Sequence, residues 1–258
     1  VHPNTFLTKR EAPRRVTRLA PSPTGALHLG NALSFVLTFA LAQKFGWRVV
    51  LRIEDLDTPR NKPGAAEETV SVLSWLGVSW ETSPSGLLYQ AADLSPYTAA
   101  METLARRALA FPSNLTRGEL AEAAASAPQA GSHEAVCPAA LRPRLGPRAF
   151  DQPETAWRFA TPEGGVAFED ALAGPQQTDP EQSIGDFLIW TKRGHPAYQL
   201  AVVIDDARQG VTDIVRGNDL LDSTGRQMLL RQALRLSPDP RHWHHPLVRG
   251  PDGRRLAK

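Results

Sequence analysis

Between residues 21 and 31 the chain reads Pro21-Ser22-Pro23-Thr24-Gly25-Ala26-Leu27-His28-Leu29-Gly30-Asn31, a turn whose composition suits phosphate chemistry. Gly25 and Gly30 let backbone approach a ligand closely. A helix beginning immediately downstream would aim N–H groups and the positive end of its dipole at an anion. His28 stands on the same edge and can donate a hydrogen bond to a phosphate oxygen. An isolated His-x-Gly is more often a helix entry with an incidental histidine. By itself the turn supports a phosphate site and no more.

The elements around the turn set its position. Residues 16–20 read as a short strand running into it. Leu33, Val36, Leu37, Ala40 and Leu41 then follow at i, i+3, i+4, i+7 and i+8, which predicts a helix with that stripe toward a core. Residues 49–53 form a second apolar strand, broken by Arg52 and ending in Glu54, Asp55 and Asp57. Ala66, Val70 and Leu73 mark another helix. Ser95-Pro96 reads as a cap followed by a first-turn proline, with Tyr97, Met101, Leu104 and Ala108 at helical spacing. Strand and helix alternating in this way predict a parallel sheet with right-handed crossovers.

From residue 111 to 195 the sequence turns Ala/Pro-rich and reads as an insertion. Within it, residues 157–161 and 166–169 flank Pro162-Glu163-Gly164-Gly165, the pattern of a hairpin. Residues 198–204 are expected to resume as a buried strand and 213–216 as another, and Leu229, Ala233 and Leu236 continue as a helical stripe. The expected organisation is a tail over 1–15, two halves of a Rossmann-like α/β domain over 16–110 and 196–258, and a smaller α+β insertion over 111–195 between them.

The 258 residues, 41% hydrophobic and 22% charged, are enough for one sizeable core or two smaller lobes. With 29 basic against 27 acidic residues the formal charge is only +2, so nucleic-acid contact would need a local basic patch. Cys137 is the single cysteine, which excludes an intrachain disulfide and leaves a cysteine-based zinc cluster short of ligands. The longest apolar-rich run, residues 32–42, is interrupted by Ser34 and Thr38 and is shorter than the ~18 residues of a membrane span. Lys9, Arg10, Glu11, Arg14 and Arg15 occur without the apolar block of a signal peptide. A cytoplasmic protein with no membrane partner is expected, with a monomer as the default.

The longer string Arg18-Leu19-Ala20-Pro21-Ser22-Pro23-Thr24-Gly25-Ala26-Leu27-His28-Leu29-Gly30-Asn31 resembles the first signature of the glutamyl-tRNA synthetases and their shortened relatives. The likeness continues through Leu51-Arg52-Ile53-Glu54-Asp55-Leu56-Asp57, Tyr198-Gln199-Leu200-Ala201-Val202-Val203-Ile204-Asp205-Asp206 and Val215-Arg216-Gly217-Asn218-Asp219-Leu220-Leu221-Asp222-Ser223-Thr224. It implies a class I synthetase catalytic domain. Asp57-Thr58-Pro59-Arg60 followed by Pro63-Gly64-Ala65-Ala66, and the chain's length, resemble the glutamyl-Q tRNA(Asp) synthetases more closely, a subgroup that keeps the catalytic half without the anticodon-binding domain. That resemblance implies activation of L-glutamate with ATP, magnesium arriving with the nucleotide, and transfer of glutamate to the queuosine of tRNA(Asp).

Carried over position by position, the family's amino-acid pocket falls on Arg18, Ala20, Ser22, Glu54, Tyr198 and Arg216. The chemistry fits, since two arginines can each fork a carboxylate and Glu54 can attract an ammonium. Which arginine takes which carboxylate stays open. One turn after Tyr198 comes Val202, where some full-length glutamate enzymes have asparagine, and weaker amino-acid affinity is expected from it.

Residues 245–258 resemble the second class I signature, with Arg255-Leu256-Ala257-Lys258 in place of Lys-Met-Ser-Lys-Ser. His28 and Lys258 are the implied catalytic groups, and Gly30, Asn31 and Arg255 join them at ATP. The family's zinc positions fall on Ser113, Leu115, His133 and Cys137, of which only His133 and Cys137 are good ligands, so no zinc is expected. Asp205 and Asp206 are expected to serve neighbouring loops rather than magnesium. His242, His244 and His245 are expected at a surface or an RNA-facing edge, and Trp75 and Trp80, which bracket a Leu-Gly helix end, as core or staple residues. The rival readings are a glutamyl-tRNA synthetase fragment that charges a tRNA 3′ end, and an inactive paralogue that only binds tRNA or glutamate.

Overall fold

The computed structural model describes residues 14–82, 86–116, 118–120 and 136–250. The first half alternates β1 (Val16–Leu19), α1 (Leu29–Phe45), β2 (Arg48–Ile53), α2 (Ala65–Trp75), β3 (Leu88–Tyr89) and α3 (Ser95–Arg106). The middle holds short strands β4 (Ala110–Pro112), β5 (Trp157–Phe159), β6 (Val166–Asp170) and β7 (Gly174–Thr178), the one-turn helix α4 (Pro180–Ser183) and β8 (Leu188–Trp190). Alternation then resumes with α5 (Tyr198–Arg208), β9 (Asp213–Gly217), α6 (Leu221–Leu234) and β10 (Arg241–His245).

Seven strands form one sheet in the order β3-β2-β1-β9-β10-β6-β7. All its neighbours run parallel except the β6–β7 hairpin at one edge. From β1 the chain steps outward through β2 and β3; it later returns to the other flank of β1 as β9. The strand order therefore reverses between β1 and β9, and in open α/β sheets such a reversal opens a crevice at the carboxyl ends of the strands. The other three strands, β4-β5-β8, form a small antiparallel sheet.

Two apolar clusters support this frame. Leu19, Trp47, Val49, Leu51, Leu73, Val215 and Trp243 pack around the large sheet, while Met101, Leu104, Trp157, Phe159, Phe187, Trp190, Leu200 and Leu230 join the small sheet to α3, α5 and α6. Among the described residues no helix is long and apolar enough to cross a membrane.

Four local expectations are corrected. Residues 198–204 are helical: α5 buries every residue from Gln199 to Asp206. A helix buried on all sides shows the same unbroken apolar run as a central strand, and here it is the length of the segment that separates the two. In α1 the buried positions are Thr38 and Ala42, with Phe35, Phe39 and Leu41 against the core; Leu33 and Val36 are exposed. This helix is apolar nearly all round, so its periodicity could not choose a face.

The residues read as one hairpin belong to different sheets. β5 pairs with β4 and β8, whereas β6 pairs with β7 around a turn in which Asp170 Oδ1 accepts the N–H groups of Leu172 and Ala173. Finally, Trp75 is 83% exposed, while Trp80 packs partly buried against the core as expected. Trp75 closes α2 on the side away from Leu73, which takes the buried place.

Candidate active site

A cleft of about 1120 Å³ opens where the strand order reverses, at the carboxyl ends of β1, β2, β9 and β10. Arg18 comes from β1, Ala20 and Ser22 from the turn after it, Glu54 from the end of β2, Tyr198 from the first residue of α5 and Arg216 from β9, and all six line this cleft. The loops after β1 and β2 are tied together, because Glu54 N–H donates to Pro21 O at 2.9 Å and Lys62 N–H to Pro23 O at 2.9 Å. Val202, one turn beyond Tyr198, is buried and does not line the cleft.

His28, Gly30 and Asn31 line another stretch of the same wall. His28 is the N-cap of α1; its Nδ1 accepts Asn31 N–H at 3.3 Å and its carbonyl accepts from Asn31 and Ala32. An imidazole that accepts at Nδ1 carries its proton on Nε2 when neutral. The geometry thus supplies a helix N-terminus and a ring N–H donor together, which is an anion-binding arrangement. Arg255 and Lys258 lie outside the described residues, as does His133.

Behind this lining the sequence reading missed a charged network. Arg52, the one charge between the exposed Arg48 at the start of β2 and its end at Ile53, is fully buried. Its Nη1 donates to Asp206 Oδ1 at 2.5 Å and to Gln209 Oε1 at 3.1 Å, and its Nε and Nη2 donate to Glu54 Oε1 at 3.2 and 3.0 Å. Arg18 pairs with the same Asp206 oxygen at 3.3 Å and donates to Val215 O at 3.2 Å. Burial would raise the Asp206 carboxyl, but Arg52 and Arg18 outweigh it and hold it below the usual range. For Glu54 burial wins over the same two arginines and pushes its carboxyl up. A lone charge inside an apolar strand was the one signal in the sequence for this network, because a buried cation needs a buried partner.

Arg216 is held differently. It is 5% exposed, and its Nε donates to His244 Nε2 at 2.9 Å, its Nη1 to Gln227 Oε1 at 2.9 Å and its Nη2 to Thr224 Oγ1 at 2.8 Å. None of the described ion pairs involves it. Burial lowers its pKa, as does the nearby Arg18, with Tyr198 and Asp206 opposing.

His242, His244 and His245, expected at a surface, are buried in β10 at the middle of the sheet, at 4%, 2% and 4% exposure. A polar-looking strand can be central when its groups are paired or neutral. His244 Nδ1 meets Asp170 Oδ2 at 2.6 Å, and burial lowers the His242 pKa to about 3.

Asp205 and Asp206 are occupied within the protein. Asp205 accepts from Gln90 and Tyr97, each at 2.7 Å, and from Arg208 at 3.1 Å. Among the described residues no group of three or more His, Cys, Asp or Glu side chains could hold a metal ion. Ser113 Oγ accepts from Arg158 Nε at 3.3 Å, Leu115 has no donor atom, and Cys137 is fully buried. At the mouth of the cleft stand Arg60, Lys192, Arg193 and His195, with Asp57 paired to Arg60 at 3.4 Å and Arg193 at 3.8 Å.

The family described as tRNA synthetases class I (E and Q), catalytic domain, matches residues 15–258. A glutamyl-Q tRNA(Asp) synthetase of Symbiobacterium thermophilum is 42% identical over 251 residues, covering 93% of this chain and 77% of the relative. The glutamyl-Q tRNA(Asp) synthetase of Geobacter sulfurreducens is 40% identical over 250 residues, covering 95% and 76%. Among solved structures, a glutamate tRNA ligase from Elizabethkingia meningosepticum in complex with its amino acid superposes with a TM-score of 0.78 at 25% identity, covering 95% of this chain. This chain spans 52% of that ligase, about half its length. With a cleft at the strand reversal, the first signature on its wall and relatives matched over most of their length, the chain belongs to the glutamyl-Q tRNA(Asp) synthetase family of the class I tRNA synthetases.

Proposed function

We propose that this chain activates L-glutamate with ATP, without needing tRNA for that step, and transfers the glutamyl group to the queuosine of tRNA(Asp). The observation that carries the reading is the convergence of Arg18, Arg216, Glu54 and Tyr198 in one cleft with the His28 edge of α1. Glutamate has two carboxylates and one ammonium. Arg18 and Arg216 supply one cation for each carboxylate, and Glu54 supplies the anion for the ammonium. Tyr198 closes the apolar side of the amino acid.

The reaction then needs placement more than covalent help. A glutamate carboxylate oxygen attacks the α-phosphorus of ATP and pyrophosphate leaves, giving glutamyl-adenylate; a queuosine ring hydroxyl next attacks the activated carbonyl and AMP leaves. His28 Nε2–H and the first turn of α1 at Gly30 and Asn31 bind phosphate oxygens, and Arg255 and Lys258 are assigned to the β- and γ-phosphates by their place in the second signature. Asp205 and Asp206 are spent on arginine, tyrosine and glutamine partners, so magnesium is assigned to the nucleotide and not to a protein cluster. Leu115 offers no ligand atom and Ser113 is a poor one, so no zinc is assigned. A monomer in the cytoplasm completes the reading. The names of the curated relatives support the acceptor.

Glutamate-dependent exchange of pyrophosphate into ATP without tRNA tests the first step. Its absence in folded protein overturns the reading in favour of a binding-only paralogue. Transfer of labelled glutamate to tRNA(Asp) carrying queuosine, but not to the same tRNA with guanosine there, tests the second. Label at the 3′ end would instead favour the tRNA-charging alternative.

A further inference from the structure

Arg216 is a buried cation whose three described acceptors are all neutral. They are an imidazole nitrogen, an amide oxygen and a hydroxyl, at 2.8 to 2.9 Å. Two other arginines are matched with carboxylates, the buried Arg52 with Asp206 and Glu54 and the half-buried Arg142 with Asp186. The buried Arg158 donates to the neutral Ser113 Oγ and Asp186 carbonyl but, unlike Arg216, does not line the cleft. The carboxylate nearest along the Arg216 chain of bonds is Asp170, and it is kept one side chain away. Asp170 Oδ2 meets His244 Nδ1 at 2.6 Å, and both Asp170 oxygens accept His244 N–H, at 3.1 and 3.2 Å.

This places the His244 proton on Nδ1 and leaves Nε2 as an acceptor, the only form that can take the Arg216 Nε–H. The amide of Gln227 is oriented in the same way. Its Nε2 donates to Gln199 Oε1 at 3.0 Å, and Gln199 Nε2 donates to Ser223 Oγ at 3.1 Å, so Gln227 Oε1 faces the guanidinium.

We propose that His244, Gln227 and Thr224 are positioning residues for ligand binding: they fix the Arg216 guanidinium through neutral acceptors so that its charge stays uncancelled for a carboxylate of the amino acid. Asp170 acts one step behind, by fixing the His244 tautomer. The proposal rests on the reading of Arg216 as a glutamate-binding residue. An arginine already paired with a carboxylate would give a ligand hydrogen bonds but little net attraction, whereas a cation with only dipolar partners keeps its full charge in a poorly hydrated site. Burial of that charge is tolerated because three hydrogen bonds solvate it.

The test separates hydrogen bonding from charge. Gln227→Glu is nearly isosteric and keeps an oxygen on Arg216 Nη1, while adding the negative charge that the wild-type shell leaves out. Pyrophosphate exchange with the full chain is expected to show the KM for glutamate raised at least about tenfold in this variant, with the KM for ATP within about twofold and the melting temperature not lowered. His244→Leu, which deletes the acceptor, is expected to raise the KM for glutamate by a similar factor. His244→Gln, which restores a neutral acceptor, is expected to recover most of it.

Should Gln227→Glu fold poorly, the His244 pair decides: equal losses in His244→Leu and His244→Gln overturn the proposal. It is also overturned if folded Gln227→Glu binds glutamate like wild type. Arg216→Gln assigns the failure. If that variant loses glutamate affinity while Gln227→Glu does not, the neutral shell is wrong and the Arg216 site stands. If Arg216→Gln keeps wild-type affinity, the site reading falls with it.

Discussion

Arg52 and Arg216 occupy related places. Each sits near the carboxyl end of a strand flanking β1, on β2 and β9 respectively, and both are almost wholly buried. Their surroundings have opposite electrical character. Arg52 is bonded to Asp206 and Glu54, so the chain supplies its counter-charge. Arg216 is bonded to the neutral groups of His244, Gln227 and Thr224, and none of its described partners is a carboxylate. The pair shows that burial of an arginine does not assign its role; the formal charge of its acceptors and its place on the cleft wall must be read together.

The largest effect that would break this contrast is on stability. Arg52→Met leaves buried Glu54 without its ion-pair partner and Asp206 with Arg18 alone, and removing one partner of a buried pair costs about 3–5 kcal/mol. Urea unfolding is expected to show a loss of that size. For Arg216→Gln the partners left behind are neutral, and the midpoint is expected within about 1 kcal/mol of wild type. Its deficit appears instead in kcat/KM for glutamate, down about 100-fold for a lost charge-assisted carboxylate contact. If Arg216→Gln unfolded as easily as Arg52→Met while still using glutamate well, both arginines would be structural.

Arg18 sharpens the contrast because it belongs to both sides. It pairs with Asp206 at 3.3 Å and also lines the cleft. Asp206 keeps Arg52 when Arg18 is removed, so Arg18→Gln is expected to cost only about 1–2 kcal/mol in urea. The same variant is expected to lower kcat/KM for glutamate about tenfold or more. A stability loss as large as that of Arg52→Met, with kcat/KM intact, would move Arg18 wholly into the structural network.

What could be read in advance follows the range of the interactions. The strand–turn–helix around His28 was legible because Pro21, Pro23, Gly25 and the apolar run after Gly30 act locally. The pocket residues were legible only as a set borrowed from a resembling family. The shell behind them was not. His244 lies 28 residues from Arg216 and 74 from Asp170, so no local pattern links them. β10 looked like a polar edge because three histidines in five residues hide the fact that neutral imidazoles can be buried. α5 was misread for a related reason: burial on every side erases the helical period that a half-exposed helix displays. Arg52 was visible as an interruption of an apolar strand, but its partners Asp206 and Gln209 lie more than 150 residues away and no local pattern named them.

The smallest expected effect lies at Glu54, which touches both sides of the comparison by accepting from Arg52 while facing the cleft. Burial raises its pKa above the ordinary carboxylate value despite Arg52 and Arg18. In the free protein this group therefore lowers stability as pH rises from the unfolded carboxylate pKa through the raised folded one, since the folded state holds the proton more tightly. An ammonium beside the carboxylate acts in the opposite sense and favours the charged form. Glutamate binding must then release a proton from whatever fraction of Glu54 is protonated. The KM for glutamate is accordingly expected to fall a few-fold as pH rises from mildly acidic toward neutral and then to level off, with the KM for ATP showing no matching change. Glu54→Gln removes the titrating group and should flatten the profile at a higher KM. A wild-type profile already flat, or one that Glu54→Gln leaves unchanged, would separate Glu54 from the amino group and return it to the Arg52 network as a purely structural carboxylate.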